Sequence, residues 1–297
     1  MAIILGDHQY GKAESRLVRF YRDQARHEIR DLNVTTALRG PWDNAYLVGD
    51  QSNVLPTDTQ KNTAYAFARS KGVEAIEDFG LDLARHFVHD IDPVEGARIE
   101  VEEYAWERAI VDGVEHDHTW TRKGQETRTA AVTVDASGEY VIGGFKDLVL
   151  LKSTGSEFAG FLVDDYTTLP ETHDRVMATS LVAKWRFTSV DVPWDEVYVG
   201  IKQIMLKEFA TLQSLALQQT LWHMGKAVLE AYPFIAEIRL KAPNKHHFVV
   251  DLSPFEMENP NEVFFAADRP YGLIEATILR DDAPDAGEAW RYSAGLA

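Results

Sequence analysis

Apolar residues recur along the chain in two rhythms that alternate in blocks. Ile76, Phe79, Leu83 and Phe87 are spaced by three and four, a single stripe that predicts an amphipathic helix. Tyr104 and Trp106 alternate with Glu103, Ala105 and Glu107, and Ala130, Val132 and Val134 alternate with Ala131, Thr133 and Asp135. Period two predicts strands with one face toward a core. Ahead of the helix, Arg16 to Tyr21 and, more weakly, Arg26 to Val34 also read as strands. The apolar start of MAIILGDHQYGK has no basic region before it, so it reads as a first strand and not as a signal peptide. Asp112-Gly113 and Ser137-Gly138 mark turns.

The order then repeats. Leu181, Ala183, Trp185 and Phe187 share a strand face, with Val190 and Val192 assigned to its partner. Trp194-Asp195-Glu196 opens a long helix that places Val197, Ile201, Ile204 and Phe209 on one side. Leu217, Leu221, Met224 and Val228 form a second stripe that ends before Pro233. Ile235 to Leu240 and His247 to Leu252 read as strands flanking a turn at Pro243-Asn244. Strand pair, helices, strand pair, twice over, predicts an α+β protein of two tandem units, 1–145 and 146–297. Strands at the edge of each unit would need covering, and oligomerisation commonly covers them.

Composition narrows the class. Of 297 residues, 45% are hydrophobic and 26% charged, the balance of a soluble globular chain. Nothing is long and apolar enough to span a membrane as a helix. Cys is absent, which excludes disulfides, thiolate nucleophiles, iron–sulfur clusters and Cys-ligated zinc. A cytoplasmic location fits that absence, and the SAGLA terminus lacks the peroxisomal Ser-Lys-Leu address. Net charge is −17, with 47 acidic against 30 basic residues. Such a surface repels nucleic acid and anionic membranes, so neither is an expected partner. An anionic substrate would need a local positive spot.

Candidate chemistry is sparse when read from spacing alone. Gly6 to Lys12 has the G-x-x-x-x-G-K spacing of a phosphate-binding loop, but Ala13 stands where Ser or Thr should hold magnesium. A strand follows where a helix should. His116 and His118 could grip a metal from one strand face, yet no third ligand is evident and the segment reads as a solvated loop. Thr57 and Asp58 stand where a helix N-cap is expected, a place that also presents backbone donors to an anion. Asn244, His246, Phe248 and Val250 share a strand face by period two. That face reads equally as a strand entering a pocket wall or as a turn Asn followed by an exposed His. Arg175 and Gln218 are not singled out by spacing.

Taken together, a set of segments resembles the urate oxidase (uricase) family, in the family's order and over nearly the whole chain. They include Tyr10-Gly11-Lys12, Thr57 to Thr63, Leu151 to Phe158 and Tyr166 to Leu169. Further on come Asp174-Arg175, Leu217-Gln218, Pro243 to Phe248, Asn259 to Phe264 and Asp268 to Glu275. The resemblance implies a tunnelling fold (T-fold): two tandem units, each a four-stranded antiparallel sheet backed by helices, joining into β-barrels on oligomerisation. It implies a homotetramer with active sites between subunits.

It also implies site roles. Arg175 and Gln218 would grip the purine edge, Phe158 would stack on the ring, and Leu217 would contribute a backbone contact. Thr57 and Asp58 would reach the substrate from a neighbouring subunit, and Asn244 with Thr57 would hold oxygen or water. Lys12, Thr57 and His246 would relay protons. A free lysine titrates near about 10.4, so a lysine base needs desolvation or nearby positive charge. The implied reaction turns urate, oxygen and water into 5-hydroxyisourate and hydrogen peroxide within purine degradation. No metal, flavin or other cofactor is expected, because the electron-rich urate anion can itself reduce oxygen. Zinc-dependent enzymes of the same fold need a His/Cys ligand set that this chain lacks.

Overall fold

The computed structural model describes residues 2–291. Strands β1 (Tyr10–Tyr21) and β2 (Glu28–Arg39) lead into helices α1 (Asp43–Leu47), α2 (Thr57–Ser70) and α3 (Ile76–Asp90). The long strands β3 (Gly96–Val111), β4 (Val114–Asp135) and β5 (Gly138–Lys152) follow. After them come β6 (Met177–Phe187), α4 (Trp194–Thr211), α5 (Leu217–Ala231), β7 (Ile235–Val249) and β8 (Phe264–Leu279). The fold is α+β.

Two compact units result. The first comprises 2–145 together with 186–196 and 284–291; the second comprises 146–185 and 197–283. Strand order in the first is β1-β2-β3-β4 and then the start of β5. In the second, the end of β5 is followed by β6-β7-β8. The described pairings between these strands are antiparallel, with Val34 opposite Val101 and Val101 opposite Ala130. Asp112 and Gly113 both have positive φ and close the β3–β4 hairpin, which pairs Val111 with Val114.

These units are not contiguous halves. The segment 186–196 joins the first unit because its side chains are wanted there. The Trp194 indole donates to Asp78 at 2.7 Å, Phe187 meets Trp194 edge-on at 5.0 Å, and Asp195 accepts from Arg128. Arg128 also binds Glu77 at 2.8 Å. Burial pushes Glu77 up to about 7 against the pull of Arg128. Residues 284–291 return in the same way, with the Ala289 carbonyl accepting from buried Arg98 at 3.0 Å.

The first unit's core lies between helices and sheet. Ile76, Phe79, Leu83 and Phe87 of α3 are buried, as the stripe predicts, against β3 and β4. Each such side chain contributes about 1.5–3 kcal/mol on burial. In the second unit Leu217, Leu221, Met224 and Val228 of α5 are buried, and α5 packs on β7 and β8.

Several local expectations are corrected. Residues 2–9 form no strand, and Ile3 and Ile4 are exposed. Val190 and Val192 form no strand either, because Ser189 Oγ accepts from the Asp191 amide at 3.1 Å and bends the chain before Pro193. In α4 the buried stripe runs Val197, Ile201, Met205, Phe209, and Ile204 is only half-buried. His116 and His118 lie in β4, not in a loop; that end of the hairpin is solvated, so apolar alternation is missing. Most consequential, no turn interrupts β7 at Pro243-Asn244. Pro243 pairs with Leu273 and Asn244 with Gly272, and then His246 pairs with Ala267. The irregularity falls on β8, where the residues between Ala267 and Gly272 oppose Lys245 alone.

Candidate functional site

The site residues fall into two groups, one in each unit. Lys12, Thr57 and Asp58 belong to the first; Phe158, Arg175, Leu217, Gln218, Asn244 and His246 belong to the second.

In the first group Lys12 sits in β1 opposite Thr36, immediately before a β-bulge. Glu14 turns to a φ of 55° there, and its amide donates to Thr35 Oγ1 at 3.0 Å. Gly11 is obligatory: a Cβ would stand 1.7 Å from the Thr36 carbonyl oxygen. With a strand before and after Lys12, the phosphate-loop reading has no structural basis. Thr57 is the first residue of α2, and the cap position falls to Pro56 without any side-chain cap. The expected N-cap role for Thr57 or Asp58 is therefore absent, which leaves the half-buried Thr57 hydroxyl uncommitted to that task. Asp58 is exposed and bonds Lys61 and, at 2.9 Å, Asn62. Those bonds, the Lys61 charge and the charge of Lys12 hold its carboxyl below the usual range.

The second group is assembled by a loop. The Phe158 amide donates to the Thr172 carbonyl at 2.8 Å, and the Arg175 amide to the Ser156 carbonyl at 2.8 Å. These bridges set Arg175 beside Phe158, its guanidinium carbon 5.3 Å from the ring centre. Phe161 stacks on the same ring at 4.8 Å. Asp174 does not neutralise its neighbour. Its carboxylate accepts from Thr154 Oγ1 at 2.9 Å and from the Gly155 amide at 3.1 Å, and so closes the loop.

Buried Ser214 stitches the start of α5 to this loop. Its carbonyl accepts from the Glu157 amide at 2.8 Å, and its hydroxyl meets Thr220 Oγ1 at 2.7 Å. Leu217 and Gln218 are then the first two residues of α5, which has no side-chain cap, Leu217 buried and Gln218 exposed. An uncapped helix start presents amides and the positive end of the helix dipole.

Asn244 and His246 extend the β7 face that carries buried Ile238, Leu240 and Ala242, and both are half-buried. The His246 ring stacks on Phe248 at 5.7 Å. Burial, then the positive charge of Arg175, then His247 lower the His246 pKa, which favours the neutral ring.

Arg175 dominates the electrostatics. Among the described residues it has no carboxylate partner, and its buried Nε has no hydrogen-bond partner. Burial alone lowers its pKa. A half-buried cation without a counter-ion is destabilising until an anion arrives. In a chain of net charge −17 this is a local positive spot. Elsewhere in the first unit an open cleft of about 670 Å³ is lined by Asp7, Asp43, Glu95, Asp135 and Glu288 with Arg39 and Arg291. Its acidic lining suits no anion, and it contains none of the residues above. Among the described residues no cluster of three metal-ligating side chains occurs.

Fold and site together define an α+β protein of two antiparallel-sheet units that sets a half-buried guanidinium beside an aromatic ring. The family model that matches, over residues 8–133 and 141–275, is that of uricase. A uricase of Arthrobacter globiformis is 50% identical over 99% of this chain and 96% of its own length. A uricase of Danio rerio is 34% identical over 91% of this chain and 93% of its own. The crystal structure of uricase from Arthrobacter globiformis superposes with a TM-score of 0.92 at 51% identity, covering 96% of this chain and 98% of that one. The chain belongs to the uricase family, the urate oxidases, and has the tunnelling fold expected from its sequence.

Sequence reasoning missed the buried polar residues that hydrogen-bond around these groups. Thr36, Gln60, Ser156 and Ser214 are almost fully buried polar side chains. The signal available was a polar residue on an otherwise apolar face, as Gln60 is with Ala64 and Ala68 in α2.

Proposed function

We propose that the chain converts urate, oxygen and water to 5-hydroxyisourate and hydrogen peroxide, as a step of purine degradation. Urate gives two electrons to oxygen, water adds a hydroxyl to the ring, and two protons leave on the peroxide. Neither metal nor flavin is required, because the urate anion is itself the reductant. The observation that carries the reading is the uncompensated Arg175 guanidinium beside Phe158.

Arg175 supplies a planar fork of donors to the anionic edge, and Gln218 adds a donor and an acceptor. Phe158 stacks on the ring, and the Leu217 backbone contributes an amide. Asn244 holds oxygen or the attacking water together with Thr57. Lys12, Thr57 and His246 pass the protons, and a neutral His246 is in the form that accepts one.

The chain acts as a homotetramer in which Thr57 and Asp58 approach urate from a neighbouring subunit. Supporting this, exposed Phe248, Phe265, Tyr271 and Leu273 leave apolar surface on β7 and β8 that needs a cover. The location is cytoplasmic. No helix among the described residues is long and apolar enough to cross a membrane. Urate should lose its absorbance with oxygen uptake and peroxide release, undiminished by a chelator. Absence of oxygen uptake with urate would sink the proposal.

A further inference from the structure

Beneath Lys12 and Thr57 lies a closed loop of hydrogen bonds that neither residue's own chemistry explains. The Lys12 amide donates to Thr36 Oγ1 at 3.2 Å, and that hydroxyl donates to Gln60 Oε1 at 2.6 Å. The Gln60 amide nitrogen donates to the Leu55 carbonyl at 3.4 Å. Tyr10 on β1 donates its hydroxyl to the same carbonyl at 3.0 Å. Tyr10 and Lys12 lie two residues apart on one strand, and Leu55 lies two residues before Thr57. The circuit therefore runs from the backbone of Lys12 to the entry of the helix that carries Thr57, and back.

Its two central side chains are well protected from water. Thr36 is 2% exposed and Gln60 is fully buried. Burial also raises the Tyr10 hydroxyl above its ordinary pKa, and Trp42 packs edge-on against its ring at 4.9 Å. Apolar side chains of similar shape would fill this space without desolvating an amide and a hydroxyl. What they would not do is fix a distance. A hydrogen-bonded ring of set donors and acceptors allows one register between strand and helix, whereas apolar packing tolerates sliding.

We propose that Thr36 and Gln60 are positioning residues that hold Lys12 and Thr57 in register for proton transfer. This rests on the roles proposed above for Lys12 and Thr57. Neither Thr36 nor Gln60 touches the reacting atoms. They act through the Lys12 backbone and through the chain leading into α2.

The test is steady-state oxygen uptake with urate, alongside thermal unfolding. Thr36→Val keeps the shape and removes the hydroxyl. It should lower kcat by about 10- to 100-fold with KM unchanged, as expected for a small misplacement of catalytic groups. Thr36→Ser should restore turnover. A purely structural role predicts a lower Tm with kcat intact, or equal losses in both variants, and either result overturns the inference. If Thr36→Val does not fold, Tyr10→Phe decides: a lowered kcat at constant KM supports the circuit, and a wild-type kcat overturns it. Lys12→Met separates the two layers. Collapse of its turnover beside an unaffected Thr36→Val removes only the positioning role, whereas full turnover in Lys12→Met removes the catalytic roles as well.

Discussion

Lys12 and Thr57 stand above polar groups that satisfy one another, whereas Arg175 stands in a half-buried place with no counter-charge. In the first unit each buried donor of the circuit meets an acceptor, so the local structure is complete without a ligand. In the second unit the loop from Ser156 to Arg175 is equally well closed along its backbone, yet it presents a cation that no carboxylate among the described residues neutralises. The contrast separates two jobs. A completed polar network sets geometry, and an incomplete one sets affinity for whatever completes it.

The comparison can be broken at its strongest point first. Lys12→Met should cut kcat by about 100-fold or more while urate still binds, the loss expected when a general base or acid is removed. Equal losses in kcat and binding would erase the division of labour. Arg175→Ala should do the reverse, raising KM by about 10- to 100-fold through loss of a charge-assisted contact. Arg175→Lys should recover only part of it, because a point charge does not reproduce the fork.

Phe158→Ala should cost about 10-fold in affinity for urate, the scale of one ring stacked on an aromatic side chain, measured by equilibrium titration under anaerobic conditions. The smallest effect is one of pH. Because Arg175 helps to lower the His246 pKa, Arg175→Ala should move the acid limb of the kcat profile to higher pH. An unmoved limb would show that His246 does not sense the second unit's cation.

A further pH test concerns the first unit's core. Glu77 is raised from its ordinary 4.5 to about 7, so the folded state holds a proton that the unfolded chain has lost between those values. Stability from this group is full below about 4.5 and fades as pH rises through 7. Glu77→Gln should flatten the dependence of Tm on pH across that interval. A slope identical to wild type would mean that Glu77 is ionised throughout.

Legibility in the sequence followed burial. The stripes of α3 and α5 were readable because each helix buries one side only. β5 escaped notice because Val141, Ile142 and Phe145 are buried on both faces, which removes the alternation that marks a strand. β8 escaped because Pro270 and the irregular pairing opposite Lys245 interrupt it. Strand period put Asn244 and His246 on one face but left a pocket wall and a turn equally open, and the continuous pairing of β7 removes the turn. Phe158 and Arg175 were not, because a loop closed by backbone bonds brings them together and leaves no periodic trace. Resemblance supplied them. It could not supply Thr36 or Gln60, which act from beneath the surface that substrate would touch.

The return of 186–196 and of 284–291 to the first unit has a consequence for dissecting the chain. A break between Phe145 and Lys146 looks natural in the sequence, yet it would yield two fragments of unequal competence. The amino-terminal fragment would leave Asp78 without the Trp194 indole, Arg128 without Asp195 and Arg98 without the Ala289 carbonyl. Expressed alone it would open the buried Arg98 and Arg128 to solvent; expressed with its complement it would regain their partners. The molecule is thus a candidate for reconstitution from two separately made pieces, but not for reduction to either one.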